Sequence, residues 1–232
     1  MQRSGLVAFE VSHRETDLHI QARRSMEKEV SNWVIEVRLA IETYGTKRPD
    51  FFTSLVPLPD DPFAPPVVRD MLRAGLSAGT GPMAAVAGAV AEYVGVRCQE
   101  KTGGEVIVEN GGDVFVRVNG PFTAALWAGR SLFSGRIGIR IDPGDSPVGV
   151  CTSSGTVGHS LSLGTADAVT IVARSCPFAD AVATSVGNRI KGVQDIASAI
   201  ETMDDAFPGV LGAVIVKGER LGAWGAVELV PL

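Results

Sequence analysis

Between Val150 and Asn188 the chain crowds serines, threonines and glycines around one apolar run, Val169–Ala173. A stretch built only for packing has no use for so many hydroxyls. Glycine lets a backbone approach a ligand closely, and loops of this kind leave N–H groups and hydroxyls free to donate. The fold must therefore end polar loops on short buried strands. The same stretch carries His159 and two Asp-Ala pairs, at Asp167 and Asp180.

The rest of the chain reads as mixed helix and strand. Leu6–Val11 and Leu18–Ala22 look like strands around a polar turn. Ser25 is placed to cap a helix that runs to Tyr44, with Gly45 as its stop and Val30, Trp33, Val34, Val37 and Ile41 as its apolar face. Six prolines from Pro49 to Pro66 predict an ordered coil pinned by Phe51, Phe52 and Phe63. Pro82–Val94 reads as a helix ended by Gly95. From Gly104 the period turns towards two, giving strands at Val106–Glu109, Val114–Val118, Thr123–Trp127 and Arg136–Ile141, with a hairpin signal at Asn119-Gly120. Ala179–Ile190 and Val193–Met203 read as helices. Leu211–Val216 and Ala223–Leu229 read as a closing hairpin. Helices fall between groups of strands rather than after each one. That predicts α+β, with antiparallel sheets and packed helices, as one domain over residues 1–232 or two intimately packed halves.

Charge and cysteine usage narrow the partners. A net charge of −5 and a pI near 5.3 argue against a nucleic-acid backbone as the main partner. The longest apolar run, Pro82–Ala91, stops at Glu92 and is too short to span a membrane. No apolar region followed by a cleavage site opens the chain. Cys98, Cys151 and Cys176 fit neither a disulfide framework nor a closed zinc site, which points to a reducing, cytoplasmic setting.

Four constellations carry chemistry. Glu109-Asn110-Gly111-Gly112-Asp113 is a turn between strands whose Asp113 could meet a hydroxyl or a metal-bound water; taken alone, a plain hairpin turn is the better explanation. Gly79-Thr80-Gly81-Pro82-Met83 feeds a helix start, a place for phosphate, or simply a helix-entry turn. Thr152-Ser153-Ser154-Gly155-Thr156, with His159 and Ser160, has the hydroxyl density of a ligand loop and lacks the Gly-x-Ser-x-Gly of a hydrolase. Asp180 and Thr184 share a helical face and supply two hard oxygens suited to Mg²⁺; Asp180 could instead serve the helix dipole. The three glycine- and hydroxyl-rich loops, 79–83, 111–113 and 152–159, are expected to converge on one pocket.

These motifs in this order, with Arg14-Glu15-Thr16-Asp17-Leu18, Gly81–Ala89, Ala128-Gly129-Arg130-Ser131 and Ala-Asp-Ala-Val-Ala-Thr ending at Thr184, resemble the ApbE superfamily of flavin transferases, and its soluble cytoplasmic branch most closely. The resemblance implies an ApbE-like α+β fold with T-fold-like halves. It implies that FAD binds with Mg²⁺ and that FMN passes to a Ser or Thr of a target protein. Asp180 and Thr184 match that family's metal-holding side chains. Gly81, Met83, Gly111, Gly112, Asp113, Thr152, Ser153, Ser154 and Gly155 match cofactor-binding segments, and His159 is the candidate catalytic residue. The family follows this histidine with Asp-Pro and Thr-Gly, where this chain has Ser160–Thr165. Two alternatives stay open: a non-catalytic ligand-binding protein, or a factor in sulfur assimilation with Cys151 as its thiol.

Overall fold

A computed structural model describes residues 3–157 and 162–232. The chain opens with β1 (Val7–His13) and β2 (Thr16–Ala22), followed by α1 (Glu27–Lys47), α2 (Asp50–Thr53), α3 (Pro66–Ala78) and α4 (Val86–Thr102). A 3₁₀ turn, Pro82–Ala85, leads into α4. Next come β3 (Val106–Asn110), β4 (Asp113–Arg117), β5 (Phe122–Ala125), β6 (Ile137–Ile141), β7 (Val148–Ser153) and β8 (Ala168–Ala173). The helices α5 (Cys176–Arg189), α6 (Asp195–Glu201) and α7 (Met203–Ala206) precede β9 (Val210–Lys217), β10 (Arg220–Gly225) and β11 (Glu228–Pro231).

Eight strands form one antiparallel sheet in the order β1-β2-β3-β4-β7-β8-β9-β10, and β11-β6-β5 form a second sheet. The helices cover one face of the large sheet, and the small sheet covers the middle of the other, over β3, β4, β7, β8 and β9. Strand β8 shows why: it is buried along its whole length. Val169, Ile171 and Ala173 pack among the helices, while Ala168 and Val172 pack under the small sheet. Each such aliphatic side chain contributes about 1.5–3 kcal/mol through burial. The α+β architecture with antiparallel sheets is as the sequence pattern implies. No single helix among the described residues is long and apolar enough to cross a membrane.

Several boundaries differ from the sequence reading, each for a packing reason. Ser25 does not cap α1; its hydroxyl meets the Glu27 carboxylate at 3.1 Å, and buried Met26 stands at the cap position. Gly45 does not end α1. The ring of Phe52 fills the space where its side chain would stand, and the helix runs on to Lys47. Gly95 sits inside α4 for the same reason, against Phe115, and α4 stops at left-handed Gly103. On the α1 face Val30, Val34, Val37 and Ile41 are buried, whereas Trp33 is half-buried. Phe51 is buried edge-on to Tyr44, but Phe63 is 95% exposed and pins nothing. The proline segment also hides the start of α3, whose Val67, Val68, Met71 and Leu72 are core. Asn119-Gly120 is no hairpin: it passes the chain from β4 in one sheet to β5 in the other. The closing hairpin ends at Gly225, and β11 crosses over to pair with β6.

Candidate active site around two buried carboxylates

The β3–β4 hairpin turns through Gly111 and Gly112, which brings Asn110 opposite Asp113. Gly111 has φ +69°, a conformation glycine adopts freely. Gly112 lies against β7: its carbonyl accepts the Thr152 N–H at 3.0 Å, and a side chain there would come within 2.9 Å of the Thr152 carbonyl. Asn110 donates to the Ala87 carbonyl at 3.0 Å. The turn is thus clamped between β7 and the start of α4. Asp113 follows it on the strand face that looks towards the helices. It is 8% exposed, and its Oδ1 has no hydrogen-bond partner among the described residues.

Asp180 lies in the second turn of α5. Two devices fix that helix start: Ser175 accepts the Phe178 N–H at 3.4 Å, and Glu92 of α4 accepts the Cys176 N–H at 2.6 Å. Helix α4 crosses α5 closely at Gly88, where a Cβ would stand 2.6 Å from the Cys176 carbonyl oxygen and 3.0 Å from the Asp180 Cβ. At this crossing the Gly88 N–H donates to Asp180 Oδ2 at 2.9 Å. So Asp180 serves the amino-terminal end of α4 rather than only the dipole of its own helix.

Asp113 and Asp180 share one enclosed region, and neither forms a salt bridge among the described residues. Burial holds Asp113 up at about 7, against the Cys151 thiol and Thr152 amide that favour its charged form. Burial, and then the Asp113 charge, push Asp180 well above the usual carboxylate range, against the amides of Gly88 and Ala87. Two enclosed carboxylates without a cation either retain protons or await a positive ion. The unpartnered Asp113 Oδ1 suits a hard divalent cation. Thr184 lies one turn beyond Asp180 and is half-buried. Among the described residues no three His, Cys, Asp or Glu side chains gather as a metal cage. The remaining ligands would be hydroxyl, carbonyl, water or phosphate oxygens, the usual company of Mg²⁺.

The hydroxyl segment is split. Thr152 and Ser153 are the last residues of β7, a strand absent from the sequence reading. Thr152 points towards the small sheet and shares a 2.9 Å hydrogen bond with Thr170. Ser153 faces α5, its Oγ 3.6 Å from the Cβ position of Gly187. Ser154 Oγ accepts the Thr156 and Val157 N–H groups at 3.1 and 3.0 Å, making a tight turn. Gly155 donates to the Ala166 carbonyl at 2.8 Å. His159 lies outside the described residues.

The 79–83 loop is placed differently. Gly79 ends α3 in the left-handed conformation, and Gly81 is buried against the Ser54 carbonyl. Its glycine serves a close chain crossing. Met83 is half-buried against the helix-side core. Gly111–Asp113 and β7 therefore adjoin directly, while the 79–83 loop reaches them only through the start of α4. Two cavities of about 220 and 250 Å³ lie elsewhere, beside Tyr44 and Asp61 and beside Arg189 and Phe207. Neither is lined by the carboxylate pair or the hydroxyl segment; what marks the candidate site is its buried charge. Cys151 and Cys176 are buried, and burial raises both thiols above the usual range. Burial thus holds the Cys151 thiol towards its protonated form.

The approach of Asp113 to Asp180 and the part played by Gly88 were missing from the sequence reading. A glycine that admits the start of a second helix gives no spacing signal.

Comparisons with known proteins bear on the family and the fold. The family model described as "AbpE bacteria" matches residues 1–209. A UPF0280 protein of Methanothermobacter thermautotrophicus is 40% identical over 201 residues, covering 85% of this chain and 78% of that protein. A UPF0280 protein of Methanocaldococcus jannaschii is 39% identical over 209 residues, covering 88% and 84%. Among solved structures, the flavin transferase ApbE from Vibrio cholerae superposes with TM-score 0.59 at 12% identity, covering 95% of this chain and 97% of that one. The ApbE protein of Thermotoga maritima gives TM-score 0.59 at 12% identity, covering 94% and 96%. At such identity the likeness establishes the ApbE-like fold.

Proposed function

The chain belongs to the AbpE family of bacteria, and on that premise we propose that it binds a flavin nucleotide with a divalent cation and moves FMN from FAD to a protein hydroxyl. One observation carries the reading: two enclosed carboxylates that, among the described residues, have no cationic partner, one of them with an unpartnered oxygen. Mg²⁺ at this place would neutralise pyrophosphate charge as AMP departs. Asp113 and Asp180 hold the cation, and Thr184 adds a hydroxyl oxygen. Gly111 and Gly112 leave backbone beside the site bare of side chains, and Ser153 and Gly155 line the approach along β7. Gly81 and Met83 support the start of α4. His159 accepts the proton of the attacking Ser or Thr hydroxyl of the target protein.

Calorimetric titration of FAD, with and without Mg²⁺, on wild type and Asp180→Asn tests the binding half. Expected is Mg²⁺-dependent binding in the wild type and its loss in the variant with the fold retained. Equal affinity in all four titrations rejects the metal role. Release of AMP from FAD in the presence of acceptor protein tests the chemistry. Binding without AMP release would leave a non-catalytic flavin-binding protein.

A further inference from the structure

Resting on the nucleotide reading above, we propose that Trp127 is the platform on which the planar heteroaromatic ring of the bound nucleotide stacks. Of the three tryptophans, Trp33 and Trp224 pack half-buried against the helix-side core. Trp127 is 71% exposed. A large indole left in water is informative, because burying it would stabilise the fold.

Its exposure is imposed rather than loose. Leu126 and Ala128 on either side are buried under the small sheet, so the side chain between them must point out. The Leu126 N–H donates to the Ile137 carbonyl at 2.9 Å, and the Gly135 N–H to the Leu126 carbonyl at 2.8 Å. The Ala128 N–H donates to Ser134 Oγ at 3.0 Å, and Ser131 Oγ donates to the Gly218 carbonyl at 2.8 Å. The loop is therefore braced at both ends and in the middle. The indole edge lies beside Gly135, where a Cβ would stand at ordinary contact distance, 3.6 Å from the ring.

The loop also reaches the hydroxyl segment. Gly129, at φ +53°, meets the hydroxyl turn, where its Cβ position is 3.0 Å from Val157 and 3.3 Å from Thr156 Oγ1. That turn continues β7, on which Cys151 pairs with Asp113. Arg130, exposed in the same loop, forms no salt bridge among the described residues and can face an anionic ligand. An aromatic face, a guanidinium with no salt bridge among the described residues and a hydroxyl turn, carried on the small-sheet side of the strand β7 that pairs with Asp113, match the ring and phosphate ends of one nucleotide.

The test measures the affinities of FAD, FMN and AMP, each with Mg²⁺, for wild type, Trp127→Ala and Trp127→Phe. Loss of an aromatic stacking face should weaken FAD binding about tenfold or more in Trp127→Ala, while Trp127→Phe stays within about threefold. A protein carrying Trp33→Phe and Trp224→Phe leaves Trp127 as its one indole. Its emission should be quenched by FMN if the flavin ring stacks, or by AMP if the adenine does. Melting temperatures of both Trp127 variants should match wild type, which separates lost stacking from lost fold. Unchanged FAD affinity in Trp127→Ala, or no quenching by either probe, overturns the platform while leaving the nucleotide reading standing. A wild type that binds none of the three probes removes both together.

Discussion

The carboxylate pair should make the cation-free protein less stable as the pH rises, and Asp113→Asn isolates the effect. An Asp in the unfolded chain titrates near 3.8, whereas Asp113 in the folded chain titrates at about 7. Below the lower value both states are protonated and the folded state bears no penalty. Between the two values the folded protein holds a proton that the unfolded chain has released, so stability falls with each step up in pH. Above about 7 both states are ionised and the loss levels off. At up to 1.36 kcal/mol for each pH step, the advantage of Asp113→Asn over wild type should widen by about 2 kcal/mol between pH 5 and pH 7, then level off. For a chain of this size that is a melting-temperature gap growing by about 4–8 °C. The assay is thermal unfolding of both proteins in a chelator across pH 5–8, where carboxylates common to both cancel. Saturating Mg²⁺ should then raise the wild type above pH 7, by about 2.7 kcal/mol at a hundred times its dissociation constant, and leave Asp113→Asn unmoved. A gap that stays constant with pH, or a Mg²⁺ response equal in the two proteins, refutes the reasoning.

Gly88→Ala should force α4 away from α5 and lower stability by about 1–3 kcal/mol, as overpacking does, together with a loss of the Mg²⁺ response in the same melting assay; a melting curve like wild type in both respects would show the crossing to be slack. Cys151 should resist iodoacetamide at pH 8 in the folded protein and react once denaturant is added, read by peptide mass; rapid labelling of the native protein would restore a chemical role for its thiol.

The legibility of these features in the sequence depended on how local their causes are. Gly111-Gly112-Asp113 could be read because a tight turn and a short carboxylate are written in neighbouring letters. The α1 face could be read because burial at Val30, Val34, Val37 and Ile41 follows one period. Strand β7 could not, since both its faces are covered along Val148–Cys151, which removes the alternation that marks a strand. Gly45 and Gly95 read as helix stops because a glycine that admits a neighbour's ring looks the same, in one dimension, as a glycine that ends a turn. Helix α3 was hidden by the prolines before it. The meeting of Asp113 with Asp180 depends on a strand pairing, a helix crossing and Gly88 together, so no window of sequence contains it.

The pairing of β11 with β6 sets an order on assembly. Glu228 sits opposite Arg140, and between them in the chain lie β7, β8, α5 and the β9–β10 hairpin. Joining such distant partners costs loop entropy that is recovered only after the intervening elements have condensed. The small sheet must therefore wait as the lone β5–β6 ribbon, marginal by itself in water, until the large sheet has presented its outer hairpin. The loop that carries Trp127 and Arg130 joins the two strands of that ribbon. The last seam to close during folding is thus the one that steadies the aromatic rim, while the carboxylate pair belongs to the layer formed before it.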